Sequence, residues 1–174
     1  MSLNRMIDRI TDSDFSGGTP ELLPTVSRYT ARGVLYNDEQ HVAMMYMSKL
    51  NLYKLPGGGI EQGDRAEEAF AREVREETGF TAEQIHELGY IEEHKNRNQY
   101  FQYSYCYLAR TIERKSDVAL TTSEIELGME VHWMSQERAI EEMAAALNHC
   151  DDYSTKFMLM RDHMILMEAA KVTR

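Results

Sequence analysis

The sequence predicts an α/β or α+β sandwich, a fold in which helices pack on a β-sheet. The elements predicted along the chain run strands first, then a helix, more strands and two helices, an order typical of such sandwiches. The 174 residues are the length of one ordinary domain. Hydrophobic residues make up 43% of the chain and charged residues 28%, as in globular proteins that bury a core.

The first 24 residues are polar and interrupted by Gly17, Gly18 and Pro24. This composition predicts an irregular N-terminal arm or lead-in over residues 1–24, followed by the main domain over 25–174.

The main domain begins with a predicted hairpin. Residues 27–36 and 41–48 are rich in β-branched, aromatic and apolar side chains and are predicted strands, and the polar residues 37–40 between them predict the turn. Residues 53–63 contain four glycines and a proline, which predicts a loop with special backbone angles.

The loop leads into a predicted helix over residues 64–78, which Gly79 ends. Two further strands are expected over 85–94 and 99–109. On the second, Phe101, Tyr103, Tyr105 and Tyr107 share one face at a spacing of two. A nucleobase could stack on this face, but packing within the sheet is the favoured interpretation, because aromatic residues are common in strands.

The chain is predicted to end with a short strand over 130–134 and helices over 135–147 and 154–172. Ser135 is a typical N-cap for the first of these helices. The last helix is rich in methionine, which favours core packing or a contact between subunits over a flexible ligand groove. On that basis a homodimer is the expected assembly.

The overall charge excludes some partners. The net charge is −10 and the sequence pI is about 5.1, which argues against binding a nucleic-acid polymer. The chain has no apolar run of membrane-spanning length, so no membrane partner is expected. Two cysteines form no disulfide framework, and a reducing, cytoplasmic setting is the default.

The acidic residues are concentrated in one part of the chain. Residues 61–93 hold eleven acids and three bases. On a helical wheel Glu73, Glu76 and Glu77 lie within an arc of about 100°, which also carries the apolar residues. Like charges at this spacing repel, and their burial without partners is unfavourable.

A divalent cation would resolve this conflict, and all-oxygen ligands favour Mg²⁺, Mn²⁺ or Ca²⁺ over zinc. The alternative is a helix rotated so that the glutamates reach water. The preceding Gly57-Gly58-Gly59 favours the metal site, since glycines let backbone carbonyls and amides approach a bound ligand closely. These three glycines are the predicted substrate-binding residues.

Residues 58–80, GGIEQGDRAEEAFAREVREETGF, closely resemble the Nudix box, GX5EX7REUXEEXGU, in which U is a bulky apolar residue. Eight of the nine fixed positions match. The departure is Asp64, which stands where the family has its first glutamate. The resemblance implies a Nudix-type α/β/α sandwich around a mixed sheet over residues 25–174.

The resemblance also implies roles for individual residues. Glu73, Glu76 and Glu77 would be metal ligands, the carbonyl of Gly57 or a neighbour would complete the shell, and Arg72 would orient a box carboxylate. Arg72, Glu73 and Glu76 are the predicted catalytic residues, and Mg²⁺ is the expected cofactor, with Mn²⁺ as an alternative.

The implied reaction is hydrolysis of a phosphoanhydride bond in a nucleoside diphosphate linked to another moiety. The alternative is a non-catalytic Nudix-like nucleotide-binding or sensor domain, which would be expected to lose box carboxylates. Several glutamates are candidates for the general base, either from the box or from a later loop. They are Glu73, Glu76, Glu124, Glu126 and Glu130.

Asp64 is predicted to support the site rather than to act in catalysis. It stands where the helix is expected to begin, and Glu67 follows three residues later, which resembles a capping box.

Overall fold

The fold was derived from a computed structural model that describes residues 5–114 and 116–173. Residues 1–4 of the predicted lead-in and residue 174 at the end of the predicted domain lie outside this part. The strands within it are β1 Met6–Thr11, β2 Arg28–Tyr36, β3 Val42–Met47, β4 Leu52–Lys54, β5 Gly57–Gly59, β6 Phe80–Lys95, β7 Tyr100–Arg114 and β8 Met129–Met134. The α-helices are α1 Ser13–Ser16, α2 Ala66–Thr78, α3 Thr122–Glu126, α4 Gln136–His149 and α5 Tyr153–Val172.

The strands form a mixed sheet in the order β1-β6-β7-β2-β3-β4, with β5 paired to β2 and β8 to β3. Strand β2 runs parallel to β7 and β1 parallel to β6, while the other pairs are antiparallel. The turn between β2 and β3 forms as predicted, because the side-chain oxygen of Asn37 accepts the amides of Glu39 and His41 at 3.0 Å.

Two apolar layers hold helices against opposite faces of the sheet. On one face Phe70 and Val74 of α2 pack with Ala31 and Leu35 of β2. On the other face α4 and α5 cover a larger core that includes Val34 of β2. The α/β/α sandwich around a mixed sheet, predicted from the sequence, is confirmed.

The irregular lead-in predicted for residues 1–24 is wrong for Met6–Ser16. Strand β1 pairs parallel with β6, and Ile10 is fully buried. Three of its six residues are apolar, but the strand is completed by a partner more than 80 positions away, which no local pattern records. The boundary at residue 25 stays a prediction.

The loop predicted over residues 53–63 is only partly correct. Its glycines Gly57–Gly59 form β5, which pairs antiparallel with Thr30, Ala31 and Arg32 of β2. Glycine has a low β-propensity, so this strand depends on its neighbour in the sheet. The pairing fixes the glycines directly in front of α2.

The longest strands extend beyond their predicted limits. Strand β6 begins at Phe80, immediately after the helix, rather than at residue 85. Its pairing with β7 shifts register between Phe80 and Ala82 and again between Glu83 and His86. Such irregularities break the alternation that predicts a strand.

Candidate active site

The site is built on α2, which carries three carboxylates that are buried to different extents. The helix ends at Gly79, whose φ of 78° is left-handed and suits glycine. Glu77 is only 1% exposed, while the side chains of Glu73 and Glu76 are 16% and 38% exposed. The helix is therefore turned with Glu73 and Glu77 towards the sheet and the glycine strand, while Glu76 is partly open to water.

Glu77 lies in an environment that is unusual for a carboxylate. Its Oε2 accepts the amide of Gly57 at 3.2 Å, while its buried Oε1 has no hydrogen-bond partner among the described residues. Burial raises the pKa of Glu77 to about 8, a net value to which Glu124 and Glu73 also contribute and which Lys54 and the amide of Gly57 oppose. A buried oxygen without a partner is costly, and this one has the electron pairs that a hard cation needs.

Glu73 lies directly behind the glycine strand. A Cβ atom added to Gly58 would come within 2.6 Å of the Glu73 carboxyl carbon, so only glycine leaves room for this carboxylate. Burial raises the pKa of Glu73, and the charge of Glu76 adds to the effect. The sequence thus brings a second partly desolvated carboxylate to the same edge of β5.

Arg72 links the helix to the glycine strand. Its Nη2 donates to the carbonyl of Gly59 at 3.1 Å and lies 3.4 Å from Glu73 Oε1, and its Nη1 pairs with Asp64. Its Nε lies 3.9 Å from Glu76. Arg72 therefore contacts the box carboxylates that the resemblance predicted it would orient.

The predicted N-cap role of Asp64 is wrong. The N-cap is Arg65, whose backbone amide donates to Glu68 at 3.2 Å, so the helix begins one residue later than the predicted capping box requires. The carboxylate of Asp64 is instead paired with the guanidinium of Arg72. The attraction between Asp64 and Arg72, eight residues apart, is therefore stronger than the preference of Asp64 for the N-cap position.

We expect Asp64→Asn to retain most of the wild-type kcat, since an amide oxygen can still accept from Arg72, which Gly59 also holds. Asp64→Ala removes the acceptor and should lower kcat several-fold more. Steady-state kinetics on both variants tests this. If Asp64→Asn is as inactive as Glu76→Gln while it folds normally, Asp64 takes part in the chemistry.

The later glutamates are separated by the structure. Glu124 lies on α3, a short helix that the sequence analysis missed, and its charge raises the pKa values of both Glu73 and Glu77. Glu126 is exposed, and Glu130 of β8 is hydrogen-bonded to His132 at 2.8 Å. Of the three, Glu124 is the one whose charge raises the pKa of box carboxylates.

A buried polar network anchors the glycine strand from the other side of the sheet. Asp162 of α5 accepts the amide of Leu55 at 2.9 Å and the Nε of Arg161 at 2.8 Å. Arg161 also lies 3.3 Å from Glu93. Sequence analysis missed this network, although an Arg-Asp pair in a mostly apolar stretch of helix, residues 157–167, is a detectable signal.

The donors available suit a hard divalent cation, but the side chains do not form a closed cluster. Within the described residues, no three His, Cys, Asp or Glu side chains are disposed to hold a metal together. Glu77 is hydrogen-bonded to Gly57 at 3.2 Å, and Glu73 lies 3.4 Å from Arg72. The unpartnered Oε1 of Glu77 and the all-oxygen donor set nevertheless fit Mg²⁺.

The described chain has no helix long and apolar enough to cross a membrane. Both of its cysteines are free, Cys106 in the core and Cys150 partly exposed.

An α/β/α sandwich that presents a glycine strand and a carboxylate-bearing helix on one edge defines the Nudix class of proteins. In agreement with this, the sequence profile of the NUDIX domain matches residues 26–153. The chain belongs to the Nudix family, and the predicted family is confirmed.

Comparison with individual proteins supports the same family. The chain is 32% identical over 66 residues to a protein of Bacillus subtilis (strain 168) named as an 8-oxo-dGTP diphosphatase. The match spans 38% of this chain and 44% of that relative, less than half its length.

Solved structures share the fold at lower identity. The NUDIX domain of Shewanella oneidensis NrtR, solved with ADP ribose, has a TM-score of 0.61 at 16% identity and covers 95% of this chain and 100% of that one. A NUDIX hydrolase from Nitrosomonas europaea has a TM-score of 0.54 at 21% identity, covering 67% and 78%. A MutT NUDIX hydrolase from Burkholderia pseudomallei gives 0.51 at 18%, covering 63% and 84%.

Proposed function

We propose that this chain hydrolyses a phosphoanhydride bond in a nucleoside diphosphate linked to another moiety, with Mg²⁺ as the cofactor and Mn²⁺ as a substitute. Nudix hydrolases generally use divalent metals and act on small nucleotide-type substrates. The observation that carries the proposal is the buried carboxylate of Glu77, with one oxygen unpartnered, beside Glu73 and the glycine strand.

Each residue has a distinct part in this proposal. Glu73, Glu76 and Glu77 would hold the metal with the carbonyl of Gly57, and Gly57–Gly59 would let the phosphate chain approach the backbone. The metal, when bound, neutralises phosphate charge and lowers the pKa of a water. Arg72 orients the box carboxylates through its contacts with Glu73 and Gly59.

A general base must lie within hydrogen-bond reach of the attacking water. Glu73 and Glu76 are already proposed as metal ligands, so we propose Glu124 of α3 as the base, because its charge raises the pKa of both Glu73 and Glu77. Its Oε1 accepts the amide of Thr121 at 2.8 Å, which limits its motion.

We expect Glu124→Gln to lower kcat by roughly 10²–10⁴-fold, the usual contribution of a general base. Glutamine keeps the capping box with Thr121, so the fold of α3 should survive. The matched control is Glu126→Gln on the same helix, which should leave kcat unchanged. Equal kcat values for the two variants would mean that Glu124 is not the general base, and Glu73 or Glu76 would then be the candidates.

The substrate is best found with a panel of nucleotides and product identification by mass spectrometry. The panel should include 8-oxo-dGTP, ADP-ribose, nucleotide sugars and dinucleoside polyphosphates, each with Mg²⁺, Mn²⁺ or EDTA. We expect metal-dependent release of a nucleoside monophosphate. Tight binding of a nucleotide without turnover would favour a sensor domain instead.

We further propose a cytoplasmic enzyme that forms a homodimer. The two free cysteines are consistent with a reducing compartment. Light scattering that gives a mass near 20 kDa at micromolar protein would exclude the dimer under those conditions.

A further inference from the structure

A cleft of about 330 Å³ opens at the N-terminal end of α2. Tyr29 of β2, Tyr105 of β7, Ile60 and Ala66 line it. Gln62 and Asp64 are also among its lining residues and provide polar groups. This volume is within the range of about 300–1,000 Å³ that small-molecule sites occupy.

The tyrosines belong to a row of rings on one face of the sheet. Tyr29 and Tyr105 are nearly parallel, with ring centroids 6.5 Å apart and an interplanar angle of 25°. Tyr103 lies 5.6 Å from Tyr29 and is stacked on Tyr90 at 4.6 Å. The neighbouring rings hold Tyr29 and Tyr105 in place, so their orientation does not depend on a ligand.

The length of α2 explains why part of this row is open. On the same face of β7, Tyr107 is 4% exposed because Phe70 of α2 stacks on it at 5.4 Å. The helix begins at Ala66, at the edge of the cleft, and does not extend over Tyr29, which is 48% exposed. Packing within the sheet, the interpretation favoured from the sequence, therefore accounts for Tyr107 and for the buried part of Tyr105, but not for Tyr29.

The cleft adjoins the candidate active site, because Ile60, which lines it, directly follows the glycine strand. Asp64 lines the cleft and is paired with Arg72, which contacts both Gly59 and Glu73. A ligand that lies on Tyr29 and Tyr105 would thus have its other end at the glycine strand and the box carboxylates. A planar base joined through a ribose to a phosphate chain matches this order of groups.

We propose that Tyr29 and Tyr105 form the subsite that binds a purine base of the substrate by stacking, which rests on the proposed function. The two rings present adjacent π-faces to a two-ring base. Gln62 offers an amide to the polar edge of the base. Stacking on an aromatic side chain tolerates different bases, since every base has a π-face.

The test measures binding without turnover. Isothermal titration in Mg²⁺ compares α,β-methylene-ADP and α,β-methylene-GDP, which carry a base, with methylenediphosphonate, which does not. We expect at least one purine analogue to bind more tightly than methylenediphosphonate. Tyr29→Ala and Tyr105→Ala should each weaken that analogue about tenfold and leave methylenediphosphonate unchanged. Tyr29→Phe should restore the affinity.

The matched control is Tyr46→Ala, which alters a separate ring cluster with Tyr53 and His132 and should change neither affinity. Equal weakening of both ligand types, or no weakening, would overturn the subsite. A change in assembly mass in Tyr29→Ala with unchanged affinity would also overturn it, because the row would then be a contact between copies. Base-dependent binding in a protein without hydrolysis would refute the proposed function and leave the subsite intact.

Discussion

Replacement of Glu77 by glutamine is expected to reduce turnover by about two orders of magnitude or more while the protein stays folded. Loss of a partner outside the ligand shell already costs about 10–100-fold in metalloenzymes, and Glu77 is proposed as a ligand itself. Glutamine has nearly the same shape and replaces a buried carboxyl group whose Oε1 has no hydrogen-bond partner among the described residues. Glu76→Gln should have a similar effect on turnover. Steady-state kinetics at saturating Mg²⁺ measures both.

Two controls make this result specific. Glu67→Gln lies on the exposed face of the same helix and should leave kcat unchanged. Millimolar Mg²⁺ should raise the melting temperature of the wild type, because an ion bound only by the native state stabilises it, and should raise that of Glu77→Gln less. Near-native rates in both Glu76→Gln and Glu77→Gln would remove the proposed metal site.

Substitution of Gly57 by alanine is expected to abolish activity and lower stability strongly. The φ of Gly57 is 150°, and a Cβ there would lie 2.3 Å from Arg32 Cβ and 2.5 Å from the Ala31 carbonyl oxygen. Backbone strain alone costs about 1–3 kcal/mol, and the clash adds to it because β2 cannot move without disturbing the sheet. Urea unfolding followed by circular dichroism measures the loss.

Two other glycines separate strain from crowding. Gly63 has a φ of 89°, but no atom of the described residues lies within 4 Å of an added Cβ. Gly63→Ala should therefore lower the free energy of unfolding only by the cost of backbone strain. Gly58→Ala would press on the Glu73 carboxylate, a flexible side chain, and should lower kcat with little loss of stability. If Gly57→Ala is no less stable than Gly63→Ala, the close contact between β5 and β2 is not what holds the glycine strand.

The parts of the fold that follow from local pattern were predictable. Helix α2 has an apolar stripe and ends at Gly79, and Ser135 caps α4 through the amide of Arg138 at 3.2 Å, as predicted. Strand β1 was missed because its stability comes from pairing with β6. Pairing over such distances is a property of the sheet and not of the segment.

In the candidate site, too, some features follow from local sequence and others from contacts between distant parts of the chain. The inward direction of Glu73 and Glu77 follows from helix geometry. The effect of Glu124 on the pKa of Glu77, and the hydrogen bond from Leu55 to Asp162, depend on elements that are distant in the chain. The cap predicted for Asp64 failed because Arg72, two turns further on, attracts its carboxylate. Local rules predict such a residue correctly only where no distant charge competes.

The central claim is that the box carboxylates hold a divalent cation needed to cleave a phosphoanhydride bond with water. Hydrolysis of the best nucleotide from the panel in ¹⁸O-labelled water, followed by mass spectrometry, tests it most directly. We predict that one ¹⁸O atom enters one phosphate-bearing product per turnover, that EDTA stops the reaction and Mg²⁺ restores it, and that Glu76→Gln is inactive. Turnover that continues in EDTA, or that is unchanged in Glu76→Gln, would contradict the claim.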